Sequence, residues 1–161
     1  MRYSKFSNGQ EHIVFELVWD VFMKFEAPDY PDEGIQTFKA FIQPENLQQL
    51  AEDGWPIYCC FAHDQLIGVL AFRKNRTHIS LLFVREEYHR QGIAKSMLTH
   101  ALNEIRESDP AINQITVNSS PYAKNIYEKM GFIAMDSVQQ QEGILFIPMV
   151  KRLQIPFKAQ S

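Results

Sequence analysis

The run Val84-Arg85-Glu86-Glu87-Tyr88-His89-Arg90-Gln91-Gly92-Ile93-Ala94-Lys95 has the residue types needed to hold a phosphate. An apolar stretch ends at Val84, a polar loop follows, and a helix is expected to open at Gly92 with Ala94 in its first turn. Small residues there let a ligand reach the free amides of a helix N-terminus, which carries about half a positive charge. Phosphate or pyrophosphate is what such a site takes, and Arg90 and Lys95 add formal positive charge. An ordinary strand-to-helix turn beginning with glycine has the same local sequence. Two rival phosphate loops fit less well. No Gly-Lys-Ser/Thr tripeptide occurs for a P-loop, and Gly92 is the only glycine in this turn, where a dinucleotide fingerprint needs three.

The elements that must position this turn follow from periodicity. Met1 to Phe6 reads as a first strand, and Ser7 with Gln10 resembles a capping box with Ser7 as the cap. Ile13, Val14, Leu17, Val18, Val21, Phe22 and Phe25 then recur at helical spacing. Two prolines and a glycine between Ala27 and Gly34 break that helix. A second helical stretch carries Ile35, Phe38 and Phe41, and Pro44 restarts a short helix with Leu47, Leu50 and Ala51. Ile57–Ala62 and Leu66–Phe72 read as a hairpin around His63-Asp64-Gln65, and Thr77–Val84 as a third strand. The alternation of that strand puts His78, Ser80, Leu82 and Val84 on one face. A long helix from Gly92 to Ser108 is stopped by Asp109-Pro110. Ile115–Val117 is a short strand, and Tyr122–Met130 a helix closed by Gly131. Phe132–Val138 and Ile144–Lys151 complete a second hairpin. The expected class is α+β, or α/β layered, in one domain over residues 1–161.

Composition narrows the classes. The chain has 161 residues, 45% hydrophobic and 22% charged, with formal net charge −3. That charge argues against a general nucleic-acid binder, while backbone amides can still hold an anion locally. Its two cysteines, Cys59 and Cys60, are neighbours that point to opposite faces of a strand, so they read as core residues of a reducing compartment. No apolar run suits a signal peptide or a membrane span, which makes a cytoplasmic location the expectation. No residue cluster suggests a metal site.

His89-Arg90-Gln91-Gly92-Ile93-Ala94 resembles the Gln/Arg-x-x-Gly-x-Gly/Ala signature of the GNAT acetyltransferases, with His89 where Gln or Arg is usual. Downstream, Ala123, Tyr127, Gly131 and Phe132 match the family's Asn-x-x-Ala-x-x-x-Tyr-x-x-x-Gly-Phe element, with Ser120 in place of its asparagine. The resemblance spans nearly the whole chain. It implies a central mixed sheet of about seven strands flanked by about four helices, splayed between Thr77–Val84 and Ile115–Val117. It implies acetyl-CoA as cofactor, its pyrophosphate on residues 89–95 and its arm along the backbone of Leu82, Phe83 and Val84, with Ser120, Ala123 and Asn125 beyond. It also implies Tyr127 as general acid, and His78 at the position where some members carry the base. In such proteins the loop between the first two helices borders the acceptor. Here it holds Glu26, Asp29, Tyr30, Asp32 and Glu33, which suit a cationic amine, although a solvated acidic loop has the same composition.

The expected activity is therefore acetyl transfer from acetyl-CoA to a primary amine, either a small molecule or a protein amino group. Nucleic acid and membrane are not expected partners, and a homodimer is compatible with these features. Two alternatives differ in class. A non-catalytic acyl-CoA sensor would not need Tyr127. An acetyltransferase toxin acting on charged tRNA would need a basic face that a −3 charge does not suggest.

Overall fold

A computed structural model describes residues 1–154. The single-domain expectation extends to residue 161, and 155–161 lie outside the described residues. The strands are β1 (Arg2–Lys5), β2 (Ile57–Ala62), β3 (Gln65–Phe72), β4 (His78–Val84), β5 (Gln114–Ser119), β6 (Ile133–Ala134), β7 (Gln139–Gln141) and β8 (Ile144–Arg152). The helices are α1 (Glu11–Phe25), α2 (Asp32–Phe41), α3 (Pro44–Glu52), α4 (Ile93–Ser108) and α5 (Lys124–Lys129). One sheet runs β1-β2-β3-β4-β5-β8-β6, and β7 pairs with β8. Among the described residues only β4 and β5 are parallel, joined by the α4 crossover. The mixed, helix-flanked sheet is the expected one, with eight strands and five helices among the described residues.

Each face of the sheet carries its own core. Val14, Leu17, Val18 and Phe22 of α1 pack with Cys59, Val69, Leu81 and Phe83 on one side. Met97, Leu98, Ala101 and Ile105 of α4 pack with Cys60, Leu70, Ile79 and Ile115 on the other. Burying a side chain such as Leu17 or Met97 contributes about 1.5–3 kcal/mol. Cys59 and Cys60 thus enter opposite cores, as adjacent strand residues must. Among the described residues no helix is long and apolar enough to cross a membrane.

Four local expectations change. The cap of α1 is Gln10, not Ser7; the Ser7 N–H instead donates to Gln10 Oε1 at 2.9 Å, half of a capping box. The helix expected over Tyr122–Met130 is shorter, because Ser120 Oγ accepts the Ala123 N–H at 3.1 Å and holds the approach in a turn. The strand expected over Phe132–Val138 shortens to β6, and β7 follows beyond it. Asp136 accepts from the Ser137 N–H at 2.7 Å and from Gln139 Nε2 at 3.0 Å, which turns the chain between them.

The fourth change lies in β4. Ala71 pairs with Leu81, but the next residue, Phe72, pairs with Ile79, so Ser80 stands outside the ladder as a bulge. Its hydroxyl donates to Ala71 O at 3.2 Å across the irregular step. Ile79 consequently joins the α4-side core together with Val84, while Leu81 and Phe83 face α1. The bulge breaks the alternation that would have put His78 on the same face as Leu82 and Val84.

Candidate active site

The parallel pairing of β4 with β5 covers only His78↔Thr116 and Ile79↔Val117. Beyond Ile79 the two strands part, so from Ser80 to Val84 the β5-facing edge of β4 has no strand partner. This is the splay that the resemblance implied. A cavity of about 330 Å³ opens along it and extends under α2.

At the Val84 end the chain presents backbone. Gly92 caps α4 with φ +76°, and Arg90 has φ +63°, so two nearby residues adopt the left-handed conformation. Such a sequence curls successive N–H groups toward one point. A Cβ added at Gly92 would meet nothing within 4 Å, so the space in front of the amides is open. The first helical bond is Ser96 N–H to Gly92 O, at 3.0 Å, which leaves the amides of Ile93, Ala94 and Lys95 free for a ligand. Arg90, Gln91 and Lys95 are exposed beside them, while the Ile93 side chain is core. His89 turns inward: its Nε2 bonds Val84 O at 2.6 Å, and its ring lies 5.1 Å from that of Phe25. Lys24 pairs with Glu86, tying α1 to this loop.

From the His78 end to the far side of the splay the chain presents side chains. His78 is 9% exposed, and its Nδ1 bonds Thr116 Oγ1 at 2.8 Å. Burial, with help from the nearby Arg73 charge, depresses its pKa to about 4. Glu26, just past the end of α1, lines the same cavity. Burial raises its carboxyl to about 7, offset in part by the Ser120 hydroxyl. Tyr127 on α5 is 6% exposed, with its ring edge-on to Phe132 at 5.3 Å. Burial, then the charge of Glu26, pushes its phenol well above the usual range. Tyr30 donates its hydroxyl to Leu145 O at 3.0 Å, and its pKa is also raised, first by burial and then by Glu26.

The roof comes from distant segments. Gly34 of α2 lies so close to the β7–β8 turn that an added Cβ would sit 2.0 Å from Gly143 O. Glu142 and Gly143 both have positive φ, as a tight hairpin turn requires. Thr37 Oγ1 donates to Glu142 O at 2.9 Å, locking helix to hairpin.

A family model for the acetyltransferase (GNAT) domain matches residues 26–153. The chain belongs to the GNAT acetyltransferase family. No curated protein matches the sequence. Among solved structures, a GCN5-related N-acetyltransferase from Rhodopseudomonas palustris is 16% identical, with TM-score 0.76, over 94% of this chain and 95% of that one. A PaiA N-acetyltransferase from Thermoplasma acidophilum, solved with coenzyme A, is 20% identical, with TM-score 0.74, over 94% and 98%. An aminoglycoside 6'-N-acetyltransferase, also complexed with coenzyme A, is 13% identical, with TM-score 0.64, over 94% and 97%. At these identities the likeness is one of fold.

In this GNAT chain the cavity gathers Glu26, Tyr30, His78, Leu82, Phe83 and Tyr127, together with Ser120 and Ala123. Val84 and residues 89–95 lie at the adjoining loop and helix start. Asp29 and Asn125 are exposed and outside the cavity wall. Phe38, Phe41, Trp55, Arg73 and Asn118 line the cavity although sequence reasoning did not select them. Their signal was faint: Phe38 and Phe41 read as a helix face, Trp55 and Arg73 as strand ends. The half-buried state of those aromatics, visible only in the fold, marks them as a wall.

Proposed function

We propose that the protein is an N-acetyltransferase that binds acetyl-CoA in the β4–β5 splay and transfers the acetyl group to a primary amine. The observation that carries this reading is a half-buried carboxyl near neutrality, Glu26, and a buried phenol, Tyr127, lining one cavity beside an unpaired strand edge. The residues suit the cofactor. The open amides at the start of α4 fit a pyrophosphate, with Arg90 and Lys95 at hand, and the free edge of Ser80–Val84 fits an amide-bearing arm. Bound acetyl-CoA supplies an acetyl group activated as a thioester.

The chain's own residues handle protons. As the N–C bond forms and the C–S bond breaks, the amine must lose a proton and the sulfur must gain one. Glu26, with a pKa near the working pH, is matched to the first task, and its ionised form also attracts an ammonium. The resemblance had instead put the base at His78. A pKa depressed to about 4 makes it a weak acceptor, and its bond to Thr116 suits it to holding the paired end of β4. Tyr127 stays protonated across the physiological range and can donate toward the departing sulfur.

The test is thiol release from acetyl-CoA with a panel of amines, followed over pH 5–9. Wild type should show a rising limb in kcat/KM near pH 7 that Glu26→Gln removes and His78→Ala retains. A limb lost in His78→Ala and kept in Glu26→Gln would return the base role to His78. Cofactor binding with no turnover on any amine would make the protein a non-catalytic binder.

A further inference from the structure

The cavity wall carries opposite charges at its two ends. Glu26 sits beside Ser120 and Tyr127, where the splay begins to open. Arg73 follows β3, and its backbone N–H donates to His78 O at 2.8 Å, at the closed end of β4. Counted along β4 from Val84 to His78, this end lies about 20 Å from the phosphate cradle at the usual strand rise. Phe41 and Trp55 form an apolar wall there, their rings 6.3 Å apart, and Phe38 continues it toward Phe83, 5.8 Å away. The cavity is at the small end for small-molecule sites.

Arg73 is also unlike its neighbour in sequence. Arg76 lies 3.8 Å from Asp109, whereas among the described residues no carboxylate lies within ion-pair distance of Arg73. A cavity with an acid at one end, aromatic faces along its side and an exposed, unpaired arginine at the rim of the other describes its ligand. From this we infer that the acceptor is a small amine with a flat apolar body and an anionic group, such as a carboxylate, remote from the amine and held by Arg73. The ammonium meets Glu26, the body lies on the aromatic faces, and the anion meets a planar donor fork. A polyamine or aminoglycoside would set positive charge against Arg73 and suits this wall poorly. The inference rests on the proposed acetyl transfer for its naming of an acceptor, but docking can be read separately.

The experiment compares 4-(2-aminoethyl)benzoate with 4-(2-aminoethyl)benzamide, which differ in charge but hardly in shape, plus the homologous pair one methylene longer. On the full chain with acetyl-CoA, one carboxylate should exceed its amide in kcat/KM by about threefold to tenfold, the range for a partly exposed ion pair. Arg73→Gln should erase that preference, and Arg73→Lys should keep part of it. Equal kcat/KM for both members of each pair, or a preference that survives Arg73→Gln, overturns the inference. If no amine releases thiol, the same pairs are compared by Tm shift with coenzyme A present. An Arg73-dependent shift for the carboxylate then supports the acceptor class while the transfer reaction fails; no selective shift overturns both.

Discussion

At the Val84 end of the cleft the chain offers mostly main chain: free amides at the start of α4, left-handed turns at Arg90 and Gly92, and an unpaired edge of β4. Across the rest of the cavity it offers side chains from just after α1, from α2, from just before β2 and from just after β3. A backbone site needs small residues at fixed spacing and tolerates almost any identity elsewhere. A side-chain site depends on each residue and on how distant segments meet. On the proposed reading the first would hold acetyl-CoA and the second the acceptor amine.

The largest effect expected separates chemistry from both kinds of binding. Tyr127→Phe should lower kcat by roughly 10- to 1000-fold, while the Tm shift produced by acetyl-CoA stays, because the ring and its packing on Phe132 remain. A variant at wild-type kcat, with the chemical step limiting, removes Tyr127 from the mechanism. Next, Gly92→Glu breaks the backbone end alone. The site has room for a side chain, so the fold persists at a cost of about 1 kcal/mol for the strained φ. The repelling charge should abolish a ligand stabilisation that would reach about 2.7 kcal/mol at a hundredfold excess over Kd. An unchanged shift would mean that the cofactor lies elsewhere.

Gly34→Ala breaks the other end. Its Cβ would collide with Gly143 backbone, so the roof must move, costing about 1–3 kcal/mol of stability. KM for the amine should rise while acetyl-CoA binding is kept; weakening of both in parallel would dissolve the distinction between the two ends.

The smallest effect is a pH dependence. Burial raises Glu26, so its contribution to stability is full below about 4.5 and declines as pH rises through about 7. His78 is depressed, so its contribution is full above about 6.5 and is lost as pH falls through about 4. The two trends oppose each other over most of this range. Glu26→Gln should uncover the His78 trend below pH 6.5, and at pH 8 should be more stable than wild type by on the order of 1–3 kcal/mol, measured by denaturant midpoints. Equal stabilities at pH 8 would show that the Glu26 carboxylate is not strained by burial.

The same contrast explains how much the sequence disclosed. The cradle lies in one short contiguous stretch of strand end, turn and helix start, so its open amides could be read directly. The splay and the role given to Tyr127 came from the resemblance that such stretches carry. The acceptor wall could not be read that way. Phe38 and Phe41 have the periodicity of any core-facing helix, and Arg73 that of any strand end. His78 appeared on the cofactor face because nothing in Thr77–Val84 announces the bulge at Ser80. Glu26 looked like one acid of a solvated loop, and only its enclosure beside Ser120 and Tyr127 raises its pKa toward neutrality.

The junction of α2 with the β7–β8 turn bears on how the molecule is made. Thr37 bonds a residue 105 positions away, and Tyr30 one 115 positions away. Contacts of such sequence separation form late, after local helices and hairpins, because the intervening chain must first be ordered. During synthesis the acceptor wall cannot close until Glu142–Leu145 has emerged and docked, whereas β2, β3, β4 and α4 can assemble earlier from neighbouring chain. A partly synthesised chain would thus present the amides proposed for the cofactor before the wall proposed for the amine.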